Sequence, residues 1–332
     1  MNLVTGATGL VGSHVLLTLL KQGLPVIAMK RSTSDVSEVE KIFSYYTPDY
    51  KEFYKKIIWR EADLTDVLGF DGLLKDVTTV YHCAALISIN NKSREQVMRS
   101  NVEGTSNLVN ACILNKIQNF CFVSSIAALQ NKEIKKDVDE SVFWKSSPHQ
   151  DVYSLSKYLS EQEVWRAREE GLNTIIVNPG VIIGPGNWGR GTGLLVSLSA
   201  KGLKFYTEGV TGFIGAEDVA NVMVALINKK AFGERFVLIE NNYSFKYIIQ
   251  KIHSELGQPI PEINAGKAFL TLGRIFSFLL PAGQKISRST ISTLLSKNTY
   301  SAQKLRSYLD YTPKSIDECI VFTSKCYKTG KI

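Results

Sequence analysis

Tyr153 and Lys157 stand four positions apart at the start of a stretch with helical patterning, Tyr153 to Glu170. That spacing puts both side chains on one helix face. A phenol with a pKa of about 10 is a poor acid–base group at neutral pH. A nearby ammonium favours the phenolate and brings that pKa down. Tyr153 can then pass a proton to or from a substrate oxygen. Ser124 and Ser125 close an apolar run, Phe120 to Val123. A hydroxyl at a strand end can hydrogen-bond a carbonyl and polarise it. Ser125 is the expected polarising group, and Ser124 reads as the strand-end cap. Asn101, inside a predicted helix Gln96 to Leu114, is expected to organise a water or the lysine; a locally satisfied helix amide is the competing reading. A Tyr-x-x-x-Lys pair alone is a common accident, so the elements that position it decide its meaning.

The first of these elements lies at the other end of the chain. Thr5-Gly6-Ala7-Thr8-Gly9-Leu10-Val11-Gly12 follows the apolar run Asn2-Leu3-Val4 and leads into the periodic segment Val15 to Leu20. The order is strand, glycine turn, helix. Gly6 suits a tight turn where a Cβ would clash. Gly9 lets backbone approach a pyrophosphate, and Gly12 allows close packing of the helix on the sheet. Free N–H groups of the helix start, at Thr8 to Val11, would face the phosphates. The spacing and its flanks point to a dinucleotide site.

Arg31 ends the second apolar run, Pro25 to Met29. An acidic residue there binds the ribose hydroxyls of NAD, whereas an arginine suits the 2′-phosphate of NADP. NADP(H) is therefore the preferred cofactor, with NAD(H) second. Asp63, at the end of a third run with Leu64, is expected to accept a hydrogen bond from the adenine amino group. An N-cap role for Asp63 is the weaker reading, because Thr65 fits that job. Ala84 and Ala85 end a fourth run, where small side chains leave room for cofactor. Lys157 is also placed to hold the nicotinamide ribose. His14, early in the first helix, is expected near the pyrophosphate, and His82 as a satisfied strand residue. The four histidines show no metal-ligand spacing, and no metal is expected.

Apolar runs alternate with helical patterns up to Pro179, which argues an α/β fold: a Rossmann-type doubly wound parallel sheet. Residues 1–180 and about 211–240 are expected to form the dinucleotide-binding domain. Residues 181–210 and 241–332 are expected to form a smaller, mostly helical substrate lobe. Gly184 to Gly191 reads as a flexible loop. With 332 residues and 44% hydrophobic content, a sizeable core is available. The net charge is +8, from 39 basic and 31 acidic residues. These are dispersed, Lys132 to Lys136 being the densest patch, so a solvated surface is favoured over nucleic-acid binding. Five cysteines without a Cys-x-x-Cys pair suggest buried thiols in a reducing, cytoplasmic setting. No secretory signal is expected, because the first strand starts at Met1. The longest apolar stretch, Ala268 to Leu280, is too short to span a bilayer. Packing of the small lobe is its favoured reading, ahead of an apolar substrate wall or membrane contact.

Together these motifs resemble the extended short-chain dehydrogenase/reductase family. The resemblance rests on Gly6 to Gly12, Asp63-Leu64, His82 to Ala85, Asn101 to Thr105, Ser124-Ser125, Tyr153 to Lys157, Asn178-Pro179-Gly180 and Phe213 to Ala220. It covers Met1 to about Pro313. Pro179, Gly180 and Val181 are implied as further cofactor-binding positions. Nucleotide-sugar epimerases of the family usually carry Val-Tyr-Gly after the serine, where this chain has Ile126-Ala127-Ala128-Leu129. The sugar dehydratases carry an acidic pair that is missing here. Lys30 to Asp35 and Asn178 to Gly186 look like the branch of dihydroflavonol reductases and hydroxysteroid dehydrogenases. That branch implies NADP(H)-linked interconversion of a small-molecule carbonyl and alcohol. The alternatives are an NAD-dependent epimerase and a non-enzymatic NADP sensor. Family members often pair through their long helices, which implies a homodimer.

Overall fold

The computed structural model describes residues 1–70, 72–86, 94–129, 137–142, 144–145, 151–267 and 288–330. The 132–136 basic patch and the 268–280 apolar stretch lie outside the described residues. The first half runs β1 (Asn2–Thr5), α1 (Leu10–Lys21), β2 (Val26–Lys30), α2 (Ser37–Ser44), α3 (Tyr50–Lys55), β3 (Ile58–Glu61), β4 (Thr79–His82), α4 (Arg94–Met98), α5 (Gly104–Leu114), β5 (Asn119–Val123) and α6 (Val152–Glu169). The second half runs β6 (Asn173–Pro179), β7 (Val181–Ile183), α7 (Gly191–Ala200), β8 (Phe205–Tyr206), β9 (Val210–Gly215), α8 (Ala216–Asn228), β10 (Glu234–Leu238), β11 (Asn241–Ser244), α9 (Phe245–Leu256) and β12 (Ile263–Asn264). Three helices close it: α10 (Arg288–Leu295), α11 (Gln303–Tyr308) and α12 (Ile316–Thr329).

Seven strands form one parallel sheet in the order β10-β6-β5-β4-β1-β2-β3. The order reverses between β1 and β4, which opens a crevice at the carboxyl ends of those strands. The central strands are apolar on both faces because helices cover both. In β5, Cys121 and Val123 enter one core with α1 and α8. Phe120 and Phe122 enter the opposite core with α5 and α6. Strand alternation thus sends neighbouring residues into different layers.

A second, three-stranded sheet, β11-β9-β7, joins the main one through backbone contact. A Cβ on Gly180 would lie 2.3 Å from the Gly212 carbonyl oxygen, so only glycine lets β6 pass so near β9. Residues 211–240 contribute to both sheets: β9 pairs with β7 and β11, while β10 pairs with β6. A third core gathers α7, α9 and α12 around Phe213 and Ile248. The α9 helix has Ser244 as its cap and left-handed Gly257 (φ 70°) at its end. No described helix is long and apolar enough to cross a membrane.

Two expectations change. The single helix from Gln96 to Leu114 is interrupted by a π-helical turn, Arg99–Glu103, between α4 and α5. Asn101 within it bonds outward to other segments, and that pull accommodates the extra residue in the turn. The 184–191 loop, expected to be flexible, is packed. Asn187 donates to the Glu38 carboxylate and its own Oδ1 accepts from Gly189 N–H. Trp188 packs edge-on against Tyr327, at 5.1 Å between ring centres. A Cβ on Gly193 would sit 2.3 Å from the Asn187 carbonyl oxygen, so this glycine serves close approach.

The β1–α1 turn is the tightest such approach. Gly6 is left-handed (φ 62°), and a Cβ there would fall 2.6 Å from the Ala84 nitrogen. A Cβ on Gly12 would fall 2.2 Å from the Gly6 carbonyl oxygen. Gly12 therefore packs the helix against its own loop rather than against the sheet, as the sequence suggested. Gly12→Ala is expected to lower stability by about 1–3 kcal/mol in chemical denaturation. Gly266→Ala, with nothing near its Cβ, is expected to stay within about 0.5 kcal/mol. Equal stability of the two variants would contradict the packing role of Gly12.

Candidate active site

The sequence-predicted residues converge on the carboxyl edge of the main sheet. Gly6 follows β1, Arg31 follows β2, Asp63 follows β3, Ala84 follows β4, Ser125 follows β5 and Gly180 follows β6. The first helical bond of α1 runs from Ser13 N–H to the Gly9 carbonyl (3.0 Å). The N–H groups of Leu10, Val11 and Gly12 therefore have no helical acceptor. Gly9 brings no side-chain cap, and the first turn carries no acidic residue. An uncapped helix start without negative charge beside it suits a pyrophosphate.

Arg31 is exposed beside this crevice, and its guanidinium makes no hydrogen bond or ion pair among the described residues. Its neighbour Lys30 is paired with Glu61 at 3.9 Å. Asp63 takes on the local role that the sequence reading had ranked second. Its Oδ1 accepts from both the N–H and the hydroxyl of Thr65, each at 2.8 Å. Asp63 is thus the cap of the following turn, the role sequence reading had given to Thr65. Those bonds to Thr65 hold its carboxyl below the usual carboxylate range, with Arg31 and Arg99 adding to the effect. Leu64 is a core side chain, and its carbonyl accepts from Asn107 (3.0 Å). Ala85 is exposed at the rim. Pro179 ends β6, and Val181 begins β7 in register with Phe213.

His14 also departs from expectation. It is buried between the Leu10 carbonyl (2.6 Å) and the Tyr46 hydroxyl (2.8 Å), and both ring nitrogens are used within the protein. Burial lowers its pKa to about 4, so the neutral ring donates to Leu10 and accepts from Tyr46. His82 is satisfied within its strand layer, as expected. Burial brings it to about 3, and it links a directed chain. Ala84 N–H donates to Thr5 Oγ1 (3.3 Å), which donates to His82 Nδ1 (2.7 Å). His82 Nε2–H then donates to Thr105 Oγ1 (3.0 Å), which donates to the Asn101 carbonyl (2.5 Å). The carboxyl edge of β1 and β4 is thereby tied to the π-helical turn.

Asn101 is buried. It accepts from Leu86 N–H (2.7 Å) and donates to the Leu86 carbonyl (3.1 Å) and Ser156 Oγ (2.9 Å). It makes no bond to Lys157; it fixes the chain after β4 against α6. Asp151 caps α6 through its Oδ2 and Ser154 N–H (3.1 Å). That cap orients the first turn, which carries Tyr153.

Lys157 is 2% exposed. Its Nζ donates to the Val123 carbonyl (2.8 Å) and lies 4.8 Å over the centre of the Phe122 ring. Burial lowers its pKa to about 8, while Cys83 and Glu161 pull it upward. Burial also raises the Tyr153 phenol to about 12, against the pull of a hydrogen bond with Ser125. The expected depression of the phenol is not produced by these neighbours, and the phenol keeps its proton at neutral pH. Ser125 touches Tyr153 and also caps the turn after β5, accepting from Ala127 N–H at 3.1 Å. The capping role expected for Ser124 thus belongs to Ser125. Ser124 Oγ is buried with no partner among the described residues.

Sequence reasoning missed a network beneath this pair. Glu161, fully buried, accepts from Asn178 Nδ2 (2.6 Å) and Arg235 Nη1 (3.0 Å). Asn178 Nδ2 also donates to the Ser125 carbonyl (2.9 Å). The signal was present, because Tyr153, Lys157 and Glu161 repeat at four-residue intervals on one helix face.

Residues 2–238 match the family model described as NAD dependent epimerase/dehydratase family. A Synechocystis sp. protein provisionally named dihydroflavonol 4-reductase is 30% identical, over 78% of this chain and 73% of that protein. Tetraketide alpha-pyrone reductase 1 of Arabidopsis thaliana is 26% identical, over 82% of this chain and 85% of its own length. The solved UDP-glucose 4-epimerase of Thermotoga maritima shares the fold, with a TM-score of 0.79, 18% identity and full coverage of both chains. With its doubly wound sheet, glycine turn and Tyr153–Lys157 helix, the chain belongs to the NAD-dependent epimerase/dehydratase family of NAD(P)-dependent enzymes.

Proposed function

We propose that this protein transfers hydride between NADP(H) and the carbonyl or alcohol carbon of a small molecule, with reduction the favoured direction. The observation that carries the reading is the half-buried Tyr153 phenol, hydrogen-bonded to Ser125 and one turn from the Lys157 ammonium. The chain's own residues fit a dinucleotide: the free N–H groups of Leu10, Val11 and Gly12 would hold the pyrophosphate, and Arg31 the 2′-phosphate. The cofactor supplies the hydride.

In this mechanism Ser125 donates a hydrogen bond to the carbonyl oxygen and orients it. Tyr153 gives its proton to the oxygen as negative charge develops there. A phenol that keeps its proton at neutral pH suits this donor role better than abstraction from an alcohol. The Lys157 ammonium stabilises the phenolate left behind and holds the nicotinamide ribose. Relatives named as reductases support the carbonyl reading. Epimerisation with a tightly held NAD is the alternative chemistry for the same fold, and denaturing purified protein to look for released NAD distinguishes it.

Three outcomes are expected. NADPH raises the melting temperature more than NADH does, and Arg31→Asp reverses that order; stronger protection of the wild type by NADH contradicts the Arg31 assignment. Across a panel of aldehydes and ketones, Tyr153→Phe lowers NADPH-dependent turnover by about 10²–10⁴-fold while NADPH still protects against unfolding. Turnover at the wild-type rate rules out Tyr153 as donor. The charged Lys157 is populated below its pKa of about 8 and lost above it. Turnover therefore holds at neutral pH and falls as pH rises through about 8, and an unchanged rate up to pH 10 contradicts the Lys157 role.

A further inference from the structure

We propose that Glu161 is a positioning residue for the Tyr153–Lys157 pair: through Asn178 it holds the Ser125 turn, and from one helical turn beyond Lys157 it provides the counter-charge for that buried ammonium. The inference rests on the reading of Tyr153 and Lys157 as the proton-handling pair.

The geometry has two branches. In the first, Glu161 Oε1 accepts from Asn178 Nδ2 (2.6 Å), and the same amide nitrogen donates to the Ser125 carbonyl (2.9 Å). Asn178 is fully buried, one residue beyond the β5–β6 pair Val123–Val177. The Ser125 backbone is thus fastened to α6, the helix that carries Tyr153, and the Ser125 hydroxyl is held where it meets the phenol. In the second branch, Glu161 shares one face of α6 with Lys157. Its Oε2 is clamped by Arg235 Nη1 (3.0 Å), and Arg235 is anchored in turn on the Glu140 carbonyl (2.5 Å). A carboxylate held this firmly acts on Lys157 from a fixed place.

Among the described residues, the groups that act on Lys157 come from two elements. Across β4 lie His82 and Cys83, and on its own helix lie Tyr153 and Glu161. Asp151 acts on Tyr153, and Arg235 faces Glu161 from β10. Burial lowers His82 to about 3, so it is neutral. Burial raises the Cys83 thiol to about 12, so it is neutral as well. At neutral pH the negative charge facing the ammonium is therefore that of Glu161. Removing it makes the charged lysine harder to keep, so the Lys157 pKa falls.

The test needs no substrate. In protein carrying isotope-labelled lysine, the Lys157 side-chain signal is identified by its loss in Lys157→Met and titrated by NMR. Glu161→Gln is expected to lower its midpoint by about one pH unit, and Glu161→Asp to restore most of the shift. Because an unpaired, partly buried Arg235 charge can unfold the protein, the paired variant Glu161→Gln with Arg235→Gln is measured alongside. It removes both charges and is expected to lower the midpoint too. Asn178→Ala is expected to leave the midpoint in place and to speed hydrogen exchange of the Ala127 amide, which the Ser125 hydroxyl holds, at least tenfold. A Lys157 midpoint unmoved in both Glu161 variants overturns the counter-charge, and unchanged Ala127 exchange overturns the clasp on Ser125. A turnover assay without activity would instead count against the hydride-transfer reading, so the two failures are separate results.

Discussion

The burial of one ammonium group, Lys157, constrains everything around it. A charge taken out of water must find compensation in the protein. Here that comes from the Val123 carbonyl at 2.8 Å, the Phe122 ring face and the Glu161 carboxylate. Each compensating group fixes a different element. The Val123 carbonyl lies at the end of β5, where Ser125 follows. Phe122 lies on the sheet face that α6 covers. Glu161 ties α6 to β6 through Asn178 and to β10 through Arg235. Docking α6 in any other register would strand the ammonium, so the requirement that holds Lys157 also sets Tyr153 beside Ser125.

The second constraint is backbone proximity at the crevice between β1 and β4. Gly6 lies against Ala84, and Gly12 against Gly6, at separations that leave no room for a Cβ. These contacts aim the start of α1 at the strand ends. The chain from Ala84 through Thr5, His82 and Thr105 to Asn101 then couples this edge to the π-helical turn and, through Ser156, to α6. The glycine turn at the start of α1 and the helix that carries Tyr153 and Lys157 are therefore tied into one hydrogen-bonded layer.

What was legible in the sequence was local. The glycine turn, the alternation of apolar runs with helices and the Tyr153–Lys157 spacing each depend on residues close in the chain, and periodicity reveals them. What was hidden depends on partners far away. Asp63 became a cap because Thr65 turned its own donors toward it, which composition alone does not decide. His14 met Tyr46, 32 positions on. Gly184, Gly186 and Gly189 look like loop mobility in sequence but meet Ala216, Leu10 and Asn187 in space. Arg235 lies 74 positions from Glu161, a distance no local pattern spans. The phenol was expected to acidify beside a lysine. Burial raised it instead, because desolvation outweighs the pull of its neighbours.

In the proposed function, hydride passes between the nicotinamide and a substrate carbon that then leaves the protein. The most direct measurement supplies NADPH carrying deuterium at the transferable position, together with a mixture of small aldehydes and ketones, and follows the label by mass spectrometry. The predicted result is one deuterium on the carbinol carbon of a released alcohol for each NADPH oxidised. NADPH recovered with its label intact, alongside NAD released only on denaturation and interconversion of sugar nucleotides, would contradict it.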